Sequence, residues 1–313
     1  MQLDGRRGSS NIEDHRSGSQ GSGKKGSNAA KGGLLGTLAL VIGYVVYLTT
    51  GDSSVLQSSQ NMMNAQAPVA VEQTQAGQLT QHNIKFTEKD VENLNEESLA
   101  QFCSVILAST EDVWTYIFKQ NGLEYRQPKM VLFEREVRTA CGAATSATGP
   151  FYCSGDQKLY IDLSFYTTMK NQLKAGGDFA YAYVIAHEVG HHVEYELGLL
   201  NKLHRQMDQC RTEAEANKIS VRIELLADFY AGVWGYYENK GNNSISDKDV
   251  EEAIKCARQI GDDYLQKSAR GYVNTKEFTH GTSEQRMKWF KLGLTTGDLS
   301  KGQVILTCPE NEL

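Results

Sequence analysis

The chain is short of basic charge. Its 313 residues carry 32 Lys and Arg against 38 Asp and Glu, a formal net charge of −6, which gives no support for nucleic-acid binding. No two of its six cysteines have the C-x2–4-C spacing of a cysteine-ligated zinc site. No internal repeat of the kind that marks solenoids or propellers is present. Two further absences are local. Leu34–Thr50 (LLGTLALVIGYVVYLTT) has no charged residue, and Asp178–Leu197 (DFAYAYVIAHEVGHHVEYEL) has no proline.

The uncharged run reaches the lower limit of about 17 residues for a membrane-crossing helix. Polar, low-complexity sequence flanks it on both sides, which disfavours a buried core helix. A cleaved signal peptide is disfavoured because more than thirty residues precede the run and no small-x-small site directly follows it. The expectation is a signal anchor. Met1–Gly33, rich in Gly, Ser, Arg and Lys, is expected to be disordered. It holds Arg6, Arg7, Arg16, Lys24, Lys25 and Lys31 against Asp4, Glu13 and Asp14. The positive-inside rule then puts the tail in the cytoplasm, with everything after the single inner-membrane span in the periplasm. Residues 51–83, with seven glutamines and no aromatic residue, read as a flexible tether. Residues 84–313 form the expected folded domain, long enough to bury a core.

All six cysteines, Cys103, Cys141, Cys153, Cys210, Cys256 and Cys308, lie beyond the uncharged run. An even number fits oxidised pairs in an exported domain, although six allow fifteen connectivities. Cys141 and Cys153 flank a small-residue loop and are the first choice of pair. Cys210–Cys256 would brace the helix between them, and Cys103–Cys308 would close the ends. The alternative is six buried free thiols.

Three of the seven histidines fall between His187 and His192. His187, Glu188 and His191 form H-E-x-x-H. On a helix, residues i and i+4 share a face, so His187 and His191 can reach one metal while Glu188, beside them, can hold a metal-bound water. His192 lies off that face and reads as a packed histidine. Gly190 costs the helix about 1 kcal/mol against alanine, and it leaves room for another segment to pass close.

A catalytic zinc takes three protein ligands and one open position. The third is sought in Ala216–Tyr237, where Ile219, Ile223, Leu226, Tyr230 and Val233 recur at helical spacing. Glu224 and Asp228 stand four apart on another face among alanines. Glu224 can ligate the metal, and Asp228 can accept a hydrogen bond from a ligand histidine, fixing its tautomer. A solvated acidic face is the alternative. Further on, Thr282 and Gln285 make a capping box, so a helix starts there. His280 stands just before it and Arg286 on its first turns, where either can stabilise an oxyanion. Between Phe151 and Phe165, Leu159, Ile161 and Leu163 alternate with polar neighbours as in a strand.

H-E-x-x-H, then Glu224–Asp228 as E-x-x-A-D, then His280 and Arg286 as H-x-x-x-x-x-R is similar to the gluzincin plan of membrane-associated CAAX-protease and HtpX-like zinc peptidases. Gly281 stands where that pattern has proline. Over nearly its full length the chain resembles the bacterial neutral zinc metallopeptidase family, in GRRGSSNIEDHR, CGAATSATGPFYC, KLYIDLSFY, HEVGHH, ELLADFYAGVW and HGTSEQR. The resemblance implies an α+β, mainly helical zincin-like domain with a small β-sheet, preceded here by the transmembrane helix. It implies Zn2+ as cofactor, held by His187, His191 and Glu224, and a protein or peptide substrate. Glu188 would move the proton, and His280 or Arg286 would hold the oxyanion. It also implies that the strand before the histidine helix binds substrate by β-addition; a structural hairpin is the alternative. A non-catalytic periplasmic scaffold with a structural zinc is the second reading, disfavoured because the sequence offers no fourth ligand other than the misplaced His192.

Overall fold

The structure is a computed structural model that describes residues 1–16, 93 and 95–313. The described residues form two compact units, one from 1–9, 93, 95–127 and 166–313, the other from 10–16 and 128–165. The secondary structure is mainly helical with a small sheet, an α+β architecture. Strand β1 covers Ile12–Asp14 and helix α1 covers Glu96–Gln120. β2 is Lys129–Phe133, β3 Glu136–Thr139, β4 Gly142–Thr145, β5 Phe151–Cys153 and β6 Lys158–Asp162. Helices α2 to α8 are Ser164–Asn171, Asp178–Glu196, Leu199–Asp208, Glu213–Asn242, Asp247–Gln259, Asp262–Arg270 and Ser283–Thr296.

The first unit is built around α3, the histidine helix. Its residues are buried almost all round, from Phe179 to Gly190, as expected for a helix enclosed by others. It packs on α1, α5 and α6. Helix α5 starts at a reciprocal cap, with the Thr212 hydroxyl accepting from the Glu215 N–H and the Glu215 carboxylate accepting from the Thr212 N–H. Helix α8 starts the same way at Thr282 and Gln285. Glycines set how closely these helices approach. A Cβ on Gly190 would lie 2.9 Å from the Ala227 carbonyl oxygen, so α5 passes against α3 at that point. Where α5 crosses α8, a Cβ on Gly232 would meet the Phe290 carbonyl at 2.1 Å and one on Gly293 the Phe229 carbonyl at 2.2 Å.

Residues 1–16 correct the expectation of a disordered tail. The side chains of Met1 and Leu3 are buried. The Met1 ammonium lies 2.7 Å from both Asp178 and Asp249. Arg6 grips buried Glu238 with two hydrogen bonds, at 2.6 and 3.0 Å, and Arg7 pairs with Glu111 and Asp112. Composition reads such a segment as solvated because it cannot see the distant carboxylates that partner its arginines. An arm packed into a domain lies on the same side of any membrane as that domain. The expected topology, with a cytoplasmic N-terminus and the domain across the membrane, is incompatible with this packing. Leu34–Thr50 and the tether 51–83 lie outside the described residues, and among those described no helix is long and apolar enough to cross a membrane.

In the second unit the strand order is β1-β2-β6-β5, with β1, β2 and β6 parallel and β5 antiparallel. β3 and β4 form a separate hairpin. The expected strand between Phe151 and Phe165 is a hairpin of two, pairing Phe151 with Tyr160 and Cys153 with Lys158. Leu159, Tyr160 and Ile161 are all buried, as in a sheet covered on both faces. β6 is bonded on one side to β2 and on the other to β5, and β5 stands at the edge of the sheet.

Cys141 and Cys153 form a disulfide that ties the β3–β4 hairpin to β5. Cys103, Cys210, Cys256 and Cys308 form no disulfide among the described residues, correcting the two other expected bridges. Each thiol faces its own surroundings. Cys103 lies 3.1 Å from the Tyr166 hydroxyl, Cys210 donates to the Gln206 carbonyl and Cys308 lies beside Arg222. Burial pushes the Cys256 thiol up to about 12.

Candidate metal centre

His187 and His191 project from the same face of α3, their ring centroids 4.8 Å apart. Glu224, on α5, meets them both, with Oε2 3.2 Å from His187 Nε2 and Oε1 3.7 Å from His191 Nε2. One donor atom from each of the three lies within 4.8 Å of the other two. No fourth His, Cys, Asp or Glu joins that set among the described residues. Glu188 is 2% exposed on the same helix. His192 turns away, its Nε2 donating to the Arg126 carbonyl at 2.6 Å.

Behind His187 lies a buried polar cluster. Its Nδ1 is 2.8 Å from Asp228 Oδ1. An ionised carboxylate only accepts, so Nδ1 carries the proton and Nε2 faces Glu224. Asp228 also takes two hydrogen bonds from Arg286, from Nε at 2.8 Å and Nη2 at 2.9 Å, and one from the Tyr183 hydroxyl. Asp228 and Arg286 are both 0% exposed. The Arg286 guanidinium is thus held by Asp228 behind the histidine rather than presented to a substrate, and it acts on the centre through Asp228.

His280 lies in the loop before α8 and is 0% exposed. Asp262 pins that loop: one of its oxygens accepts from the backbone N–H groups of Thr279, His280 and Gly281 at 2.8, 2.7 and 3.0 Å. Its other oxygen lies 3.1 Å from His280 Nδ1. Gly281 has φ +90, a value that proline's ring forbids, and proline would also lack the N–H that Asp262 binds. The glycine therefore makes a turn of its own here.

The electrostatics follow from burial opposed by close pairing. Burial disfavours the charged ring of His187, but Asp228 and Glu224 outweigh it and raise the pKa to about 10. His191 is raised as well, because Glu194 and Glu224 outweigh its burial. Glu224 is held well below the usual carboxylate range despite burial, with His280 and both ligand histidines as the cause. A carboxylate at each nitrogen of His187 thus favours positive charge where a metal ion would sit. Two residues of this layer went unread in the sequence. Glu194, three after His191, accepts from or donates to its Nδ1 at 3.0 Å; Tyr183, four before His187, reaches Asp228. Both carry the i+3 and i+4 offsets of a shared helix face.

The family profile described as "Putative neutral zinc metallopeptidase" matches residues 1–304. The chain belongs to this family. The match takes in the N-terminal arm as well as the metal centre. Among relatives, the uncharacterized protein YpfJ of Escherichia coli strain K12 is 44% identical over 303 residues, covering 95% of this chain and 96% of that protein. The uncharacterized protein Rv2575 of Mycobacterium tuberculosis strain H37Rv is 41% identical over 184 residues, 56% of this chain and 61% of that protein. No solved structure matches the chain.

The family implies zinc, and the residues present fit it. Two imidazoles and one carboxylate are a donor set that zinc accepts in catalytic sites. Asp228 fixes the tautomer that frees His187 Nε2. In addition, His280 Nε2 is buried with no hydrogen-bond partner among the described residues, a polar atom awaiting one beside Glu224.

Proposed function

We propose that the chain is a zinc-dependent peptidase with a zincin-like site, acting on protein or peptide substrates. Bound zinc, held by His187, His191 and Glu224, would supply Lewis-acid polarisation of the scissile carbonyl and a lowered pKa for a bound water. Glu188 takes a proton on its carboxylate and returns it to the leaving amine, the task its place beside His187 suits. His280, fixed by Asp262 at Nδ1, offers Nε2 to an oxyanion near Glu224. Asp228, backed by Arg286 and Tyr183, holds the His187 ring in place. The burial of α3 keeps water from the inner side of the centre, while His191, with 12% of its side chain exposed, marks the side open to solvent.

The observation that carries this reading is a set of three protein donors, without a fourth among the described residues, beside a buried carboxylate that is not a ligand. A structural zinc scaffold fills its fourth position with protein. The test is Glu188→Gln on the full chain, with zinc content measured beside hydrolysis of a casein substrate. The variant should keep its zinc and lose turnover by several orders of magnitude, since only the proton carrier is removed. Zinc loss in this variant, or turnover equal to wild type, would remove Glu188 from the role.

The Cys141–Cys153 disulfide supports placing the domain outside the reducing cytoplasm. Membrane association through Leu34–Thr50 belongs to the same proposal, with the arm on the domain's side.

A further inference from the structure

The loop that links α7 to the His280 turn is tied down along its length, yet it leaves two large apolar side chains in solvent. Tyr272 is 61% exposed and Val273 41%. Arg270, at the end of α7, lays its guanidinium over the Tyr272 ring at 4.6 Å and pairs with Glu277. The Asn274 backbone N–H donates to Gln266 Oε1 at 2.7 Å, and its side-chain amide donates to Glu277 Oε1 at 2.7 Å. Asn217, on α5, donates through Nδ2 to the Lys276 carbonyl at 3.0 Å. These bonds fix the backbone on both sides of Tyr272 and Val273, so their exposure is a feature of a held loop.

The loop follows α5 away from the metal centre. At its far end Gly281 rests on α5 beside Glu224, where a Cβ would meet Val221 Cγ1 at 3.2 Å and Leu225 Cδ2 at 3.3 Å. Asn217 stands two turns earlier on the same helix, about 10 Å along its axis from Glu224. In that direction α5 comes out into solvent: Ser220, Val221, Ile223 and Glu224 are buried, and no residue from Glu213 to Ile219 is.

We infer that Tyr272 and Val273 are the outer apolar lip of the substrate site and bind an apolar side chain several residues from the scissile bond. The occupant is the substrate chain, because the loop shares α5 with Glu224 and ends in His280. An extended peptide advances at most about 3.3–3.6 Å per residue, so about three residues separate a scissile bond at the centre from the level of Asn217. Contacts that far out can raise turnover as well as affinity. This inference rests on the peptidase reading above and adds the length and side-chain class of the substrate.

The test uses the full chain and two peptides built on one casein cleavage site located by mass spectrometry. The long peptide extends about five residues to either side of the scissile bond and the short one about two, less than the reach given above. In wild type the long peptide should have the higher kcat/KM. Tyr272→Ser with Val273→Ser should cut that advantage about tenfold, the lower end of what a single apolar contact contributes to discrimination, with zinc content and melting unchanged. Serine in place of the outlying apolar residues of the long peptide should cost wild type the same factor and the double variant nothing further. Tyr116, 52% exposed and packed on Tyr237 at the opposite end of α5, is the control, and Tyr116→Ser should leave the long-to-short ratio as in wild type. A ratio in the double variant within about twofold of wild type, far short of that contribution, overturns the inference. So does an equal fall in Tyr116→Ser, or a double variant that melts lower, which would make the pair part of the scaffold. A wild-type chain that cleaves casein nowhere would instead overturn the peptidase reading itself.

Discussion

Asp228 does two jobs through one carboxylate, and that changes what its removal should do. It holds His187 Nδ1 and it is the buried counter-charge of Arg286. A solvated carboxylate would be dispensable, whereas truncating one partner of a buried pair costs about 3–5 kcal/mol because the other charge is left alone. Asp228→Ala should therefore destabilise the metal-free protein by that order and weaken zinc binding. Adding Arg286→Met should restore much of the stability, since no charge is then stranded, but none of the zinc affinity. Urea unfolding of the two metal-free variants, with chelator titration beside it, reads both effects. Stability unchanged in Asp228→Ala would contradict the buried pair.

Helix packing brings the ligands together, and it depends on small residues at two crossings. Gly232 and Gly293 let α5 and α8 approach until backbone meets backbone, so a methyl at either has only main-chain atoms to displace. Alanine gains about 1 kcal/mol of helix propensity over glycine, and forced overpacking costs about 1–3 kcal/mol or more. The clash should win at the crossing, making Gly293→Ala destabilising. Gly241, on the same α5 with nothing within 4 Å of its would-be Cβ, should show the propensity gain alone and be neutral or stabilising as alanine. Thermal melting of the two variants compares them, and equal shifts of the same sign would mean that the crossing is looser than described.

At the largest scale, residues 1–9 and the metal-bearing helices belong to one folded unit. The ion pairs of Arg6 and Arg7 with Glu238 and Glu111, and the burial of Met1 and Leu3, all require it. Residues Ser10 and Glu310, both exposed, should thus report the same side of the membrane. In a Cys210→Ser background, a membrane-impermeant maleimide should label Ser10→Cys and Glu310→Cys under the same conditions in intact cells. Labelling of one only before lysis would restore a single crossing between them and place the arm apart from the domain.

The centre was legible in the sequence because its signals are local. His187, Glu188 and His191 sit on one turn of helix, Glu224 and Asp228 on the next helix one turn apart, and Thr282 with Gln285 marks a helix start, all set by backbone geometry at short range. The Cys141–Cys153 bridge was equally near in sequence. What tertiary structure decided involves partners far apart along the chain. Arg286 turned inward because Asp228, 58 residues away, neutralises it. Residues 1–9 folded onto the domain because Glu238 and Glu111 receive Arg6 and Arg7. Four cysteines stayed apart because packing sent each thiol to a different neighbour. Composition and periodicity describe what a segment can expose or bury; only the packed chain determines which distant charge or strand edge meets it.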